Sequence, residues 1–133
     1  MKSILNIKTI AFLAIGMLFV SSCTNDQLPE PSIPESCEDT VPTYDVEIRP
    51  IIEESCAYAG CHLDGSAPGI YVDYEGVKSV IESGAFREKV VVQKDDPNIG
   101  MPPNYAPEGR PQDLTMEELD LIVCWLENGY PES

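Results

Sequence analysis

The chain has 133 residues, with 23 acidic side chains against 8 basic ones, and a formal charge of −15. Such an excess of acid argues against nucleic acid or an anionic lipid surface as a partner; it suits a basic partner or simply a well-solvated surface. A length of this order, with no internal repeat, accommodates one small domain, near the lower limit at which a core is self-sufficient, where staples or a cofactor commonly assist.

In chain order, Met1 to Lys8 is a short region carrying Lys2 and Lys8 and no acid, followed by an apolar run from Thr9 to Val20. That run is shorter than the roughly 20 residues a permanent transmembrane helix needs, and it matches the apolar region of a signal peptide. Val20-Ser21-Ser22-Cys23 then resembles a lipobox: an aliphatic residue, two small residues that admit the peptidase, and the cysteine that receives lipid. The expectation is a signal peptide over residues 1–22, cleavage before Cys23, and a lipid anchor on Cys23 holding the protein in a bacterial cell envelope, on its periplasmic side or at the cell surface. Removal of the signal peptide takes away two cations and no acid, moving the formal charge from −15 to −17.

Residues 23–43 carry Pro29, Pro31, Pro34 and Pro42 and few large apolar side chains, too little to offset the entropy of ordering. They read as a disordered tether. At about 3.1 Å per residue it would hold a domain up to about 60 Å from the membrane.

Three helices are predicted in the remaining domain, residues 44–133. The first spans about Asp45 to Cys56, with Val46, Ile48, Ile51 and Ile52 apolar and Pro50 weakening its first turn. The second runs from Tyr74 to Ser83; Asp73 is its N-cap, Tyr74, Val77, Val80 and Ile81 share a face, and Gly84 ends it. The third is marked by Thr115 and Glu118 as a capping box and by Leu119, Ile122, Val123 and Leu126 at helical spacing. Trp125 lies beside that face, and Asn128-Gly129 stops the run. The fold class expected is all-α.

Of the five cysteines, Cys23 belongs to the anchor, leaving Cys37, Cys56, Cys61 and Cys124 in an oxidising compartment. Cys56 and Cys61 bracket a four-residue spacer, and the single histidine, His62, follows directly. This is a longer version of the C-x-x-C-H haem-attachment signature. Two thiols fix one porphyrin edge, the adjacent imidazole reaches the iron, and Gly60 tolerates the positive φ of an outward bulge. Other uses of the same residues are a local Cys56–Cys61 disulfide, and a zinc site that would have to recruit Cys37 and Cys124. An electron-carrying haem usually has a second axial ligand, often Met. Met101, in Met101-Pro102-Pro103, sits on a loop stiffened by proline, whereas Met116 lies at a helix start.

These pieces occur in the order found in a known family. Residues 44–131 resemble the small cytochrome c domains of envelope lipoproteins from Bacteroidetes-type bacteria, and the cytochrome domains at the ends of planctomycete proteins. The matching segments are Asp45 to Ile52 (opening helix), Cys56 to His62 (attachment site), Gly69 to Tyr74 (entry to the second helix), Met101-Pro102-Pro103 (ligand loop) and Leu114 to Gly129 (closing helix). The sequence departs from the family between Gly84 and Met101, where the glycine-rich turn is missing, and after Met101, where the loop is long and polar.

The resemblance implies a cytochrome c-like domain with one covalent haem c, thioether links at Cys56 and Cys61, His62 as proximal ligand and Met101 as distal ligand. It implies a one-electron carrier with a redox partner protein, for which the acidic surface suggests a basic face. It also implies that the first and last helices pack together, which would let Cys37 and Cys124 form a disulfide. That bridge would close a loop spanning most of the domain, an effect of about 4.5 kcal/mol in the chain-entropy model. No nucleophile–base pair or carboxylate dyad is recognisable, so catalysis is not indicated. The rival reading is a haem-free binding or structural lipoprotein stapled by two disulfides.

Overall fold

The structure, a computed structural model, describes Cys37 and residues 41–133. The expected signal peptide, Cys23 and the rest of the expected tether lie outside the described residues. Those described are helical, with no strand among them, and no helix among them is long and apolar enough to cross a membrane.

Helix α1 is one continuous rod whose first part, Tyr44–Ile48, winds as a π-helix and whose second, Arg49–Ser55, is α-helical. Pro50 explains the change of winding. It has no N–H to donate, and its ring presses on the carbonyl four residues back, so the turns ahead of it widen. The N–H of Ile48 accordingly donates to Thr43 O (3.2 Å) and that of Arg49 to Tyr44 O, each five residues back. The Glu47 carboxylate accepts from the Thr43 N–H at 2.8 Å and closes the N-terminus.

Helix α2, Tyr74–Glu82, starts where expected: the Asp73 side chain accepts from the Gly76 N–H at 2.9 Å. Gly84, with φ 80°, ends it but does not begin a long loop. A helix absent from the sequence reading follows at once: α3, composed of Ala85–Arg87 and a π-helical continuation Glu88–Val92. Its apolar residues Phe86, Val90 and Val91 are all buried, but eight residues are too few for periodicity to stand out from chance. Helix α4, Met116–Glu127, has the full Thr115–Glu118 capping box. It ends with Gly129 N–H donating to Leu126 O (3.2 Å) and Tyr130 N–H to Trp125 O (2.8 Å), the reciprocal pattern of a glycine-terminated helix.

The C-terminal residues strap the bundle together. The Pro131 carbonyl accepts from the Tyr44 N–H (3.0 Å) and from the Trp125 indole (2.9 Å), and the Tyr130 carbonyl accepts from the Tyr74 hydroxyl (2.9 Å). One short segment thus binds α1, α2 and α4. Trp125, expected beside the helix's apolar face, is instead fully buried at the centre. Tyr44, Phe86 and Tyr130 surround it with ring centroids 6.2, 6.4 and 6.3 Å away. The two rings set edge-on, Phe86 and Tyr130, have the geometry aromatic quadrupoles favour. Helices α1 and α4 pack against each other, and a Cys37–Cys124 disulfide fastens the segment before α1 to α4, with Cα atoms 5.0 Å apart. Pro42 is also buried, so the chain is held against the domain just ahead of α1.

Candidate functional site

Helix α1 ends at the first cysteine of the motif: the Cys56 N–H donates to Ile52 O at 2.9 Å. The chain then folds back on itself. Cys61 N–H donates to Tyr58 O (3.0 Å) and His62 N–H to Cys56 O (3.2 Å), so the four-residue spacer closes a compact loop. Gly60 adopts φ 87°, the conformation expected for the bulge. Asp64, which the sequence did not single out, organises this loop. Its two carboxylate oxygens accept from the N–H groups of Gly60 and Ser66, each at 3.1 Å. Hydrogen bonds from the Ser66 hydroxyl and these two N–H groups hold its pKa below the ordinary carboxylate value.

His62 is oriented twice over. Its Nδ1 lies 3.2 Å from Gly69 O. A carbonyl can only accept, so Nδ1 is the donor, which leaves Nε2 as the nitrogen available for metal ligation. The imidazole also stacks on Tyr71, with centroids 4.1 Å apart and planes within 8°. Gly69 has φ 90°, and a Cβ there would lie 2.9 Å from Tyr71 Cε1 and 3.3 Å from Val80 Cγ2, so the carbonyl that steers His62 depends on glycine.

Met101 arrives from the other side of the chain. Its N–H donates to Lys89 O at 3.1 Å, which docks the Met-Pro-Pro loop on α3, and its side chain is partly buried against the core. A Cβ on the preceding Gly100 would run into the carbonyls of Gln93, Lys94 and Asp96, so the close turn into Met101 requires glycine. Met116, by contrast, is exposed in the first turn of α4.

The long polar loop after Met101 has a structural task. Arg110 donates to the carbonyls of Glu53 (3.4 Å) and Glu54 (3.2 Å) at the end of α1, and its guanidinium sits 4.7 Å from the Tyr58 ring centroid. It therefore ties the loop after Met101 to the Cys56–His62 segment, through hydrogen bonds to helix-end carbonyls and a cation–π contact.

Between these segments lies a cavity of about 520 Å³, within the range of roughly 300–1,000 Å³ usual for cofactor pockets. Cys56, Cys61, His62 and Met101 all line it, together with the apolar side chains of Val80, Phe86 and Val90 and with Pro102 and Pro103. Both thiols are free. Burial pushes Cys56 up to about 12, with lesser contributions from Cys61 and Glu118. Burial likewise takes Tyr71 up to about 12. On the cavity wall the Ser55 hydroxyl is buried without a hydrogen-bond partner, and the buried Tyr58 hydroxyl has only the Cys61 thiol beside it.

Two free thiols, an imidazole and a thioether thus line one largely apolar cavity, a donor set that could hold a metal-bearing or apolar cofactor. The set does not fit the zinc alternative, because Cys37 and Cys124 are bonded to each other and are not available as ligands. No protein-family model, curated protein or solved structure matches this chain.

Proposed function

We propose that this chain is a lipid-anchored mono-haem c-type cytochrome that carries single electrons in a bacterial cell envelope. One observation carries the reading. Cys56, Cys61, His62 and Met101, which the sequence singles out for separate reasons, line the same cavity, and the only histidine of the chain has its Nδ1 committed to a backbone carbonyl.

On this reading each residue has a defined task. Cys56 and Cys61 would hold the haem covalently through their sulfurs. His62 would offer Nε2 to the iron, with the imidazole oriented by Gly69 O and the Tyr71 stack. Met101 would supply its thioether sulfur to the iron, on a loop held by Lys89 O and Arg110. Phe86, Val80 and Val90 keep water from the ring, which strengthens the protein's control of its charge state. The bound haem contributes the Fe(II)/Fe(III) couple, with its potential set by ligands, burial and charge. The anchor on Cys23 keeps the domain at a membrane, and the acidic surface favours a basic redox partner.

The free Cys56 and Cys61 thiols on the cavity wall favour attachment over the two-disulfide staple. The test is expression beside a c-type haem maturation pathway, followed by a denaturing gel stained for haem. Haem that stays with the chain, and is lost from Cys56→Ser/Cys61→Ser, is expected; a chain without stain overturns the reading. In the loaded protein, Met101→Ala is expected to abolish the Met–iron charge-transfer band and lower the reduction potential. Retention of that band refutes the Met101 assignment.

A further inference from the structure

The cavity's charge is opposite in character to the rest of the protein. The chain has 23 acids, yet no Asp or Glu lines the cavity, and its single charged lining residue is Lys89. The other cations among the described residues are all engaged. Arg49, Lys78, Arg87 and Lys94 pair with Glu53, Glu75, Glu127 and Asp95 respectively, and Arg110 donates to the carbonyls of Glu53 and Glu54. Among the described residues, Lys89 alone has neither a carboxylate nor a carbonyl for its ammonium group.

Lys89 is solvent-exposed yet lines the acid-free cavity, so its ammonium is placed to meet an anion that arrives with the ligand. The Ser55 hydroxyl, buried on the same wall without a partner, also indicates a ligand with a polar group, since buried donors normally find acceptors. We propose that Lys89 is a positioning residue that pairs with a carboxylate of the bound porphyrin. This rests on the haem reading and deepens it: the ligand is a dicarboxylic porphyrin whose orientation and redox balance depend on Lys89. The ammonium disfavours the more positive Fe(III) state and so raises the share of Fe(II), against the general effect of the acidic surface.

The test compares the loaded wild type with Lys89→Gln, Lys89→Arg and, as a control for net charge, Lys78→Gln, whose lysine pairs with Glu75. At a fixed electrode potential, Lys89→Gln is expected to lower the Fe(II):Fe(III) ratio about threefold and to shift the vibrational bands of the porphyrin carboxylates. Lys89→Arg is expected to restore both, and Lys78→Gln to change neither by a comparable amount. If Lys89→Gln carries covalent haem with wild-type ratio and bands, or if Lys78→Gln matches its effects, the Lys89 assignment is overturned while the cytochrome reading stands. If the wild type carries no covalent haem, both fall.

Discussion

His62 Nδ1 and Gly69 O lie 3.2 Å apart, across the loop that follows the attachment motif. This contact decides which imidazole nitrogen faces the cavity. It also makes a glycine with no place in the ligand set necessary to it. Gly69→Ala would force a Cβ into the left-handed region and against Tyr71 and Val80. A loss of about 1–2 kcal/mol is expected in urea unfolding, together with an altered His62–iron signal in the loaded protein. A variant as stable as wild type, with unchanged spectra, would show that the carbonyl does not steer the ring.

The Cys37–Cys124 bond spans 87 residues and ties the chain ahead of α1 to α4. Removing it with Cys37→Ser/Cys124→Ser is expected to cost about 2–5 kcal/mol in chemical denaturation, the usual range for a bridge closing a long loop. A difference below about 1 kcal/mol would mean that the helix contacts hold the two segments equally well unaided.

Folding raises the Cys56 thiol from 9.0 to about 12. The folded state thus favours the protonated thiol. That contribution to stability is complete below pH 9 and disappears as pH rises through 12. The same shift governs reactivity, because the thiolate is the nucleophile. At pH 8 the thiolate fraction falls about a thousandfold on folding. Cys56 of the haem-free chain should therefore alkylate slowly when folded and quickly in urea, as read by peptide mass spectrometry. Equal rates would contradict the desolvation of the Cys56 thiol in the folded chain.

Much of this was legible because it rests on local chemistry. Thr115 with Glu118, and Asp73 ahead of Tyr74, announce helix starts through hydrogen bonds made within one turn. Cys56, Cys61 and His62 are adjacent in sequence, and Met101 is marked by its two prolines. Features created only by tertiary approach were not legible. Ala85–Val92 is stabilised by burying Phe86, Val90 and Val91, which carry no readable period. Trp125 became the centre of the core because the C-terminal strap reaches its indole. Arg110 and Tyr58 meet from loops far apart in the chain, and Lys89 gains meaning only once its neighbours are known. The Gly69 to Tyr74 segment was marked only by its resemblance to the entry of a second helix, not by the carbonyl that meets His62.

The central claim is that Cys56 and Cys61 carry a haem while Cys37 and Cys124 carry a bond. The most direct measurement is the intact mass of the matured chain, denatured without reductant and treated with an alkylating agent. The prediction is one haem retained and no thiol alkylated. A chain without haem, alkylated at Cys56 and Cys61 or bridged between them, would contradict it.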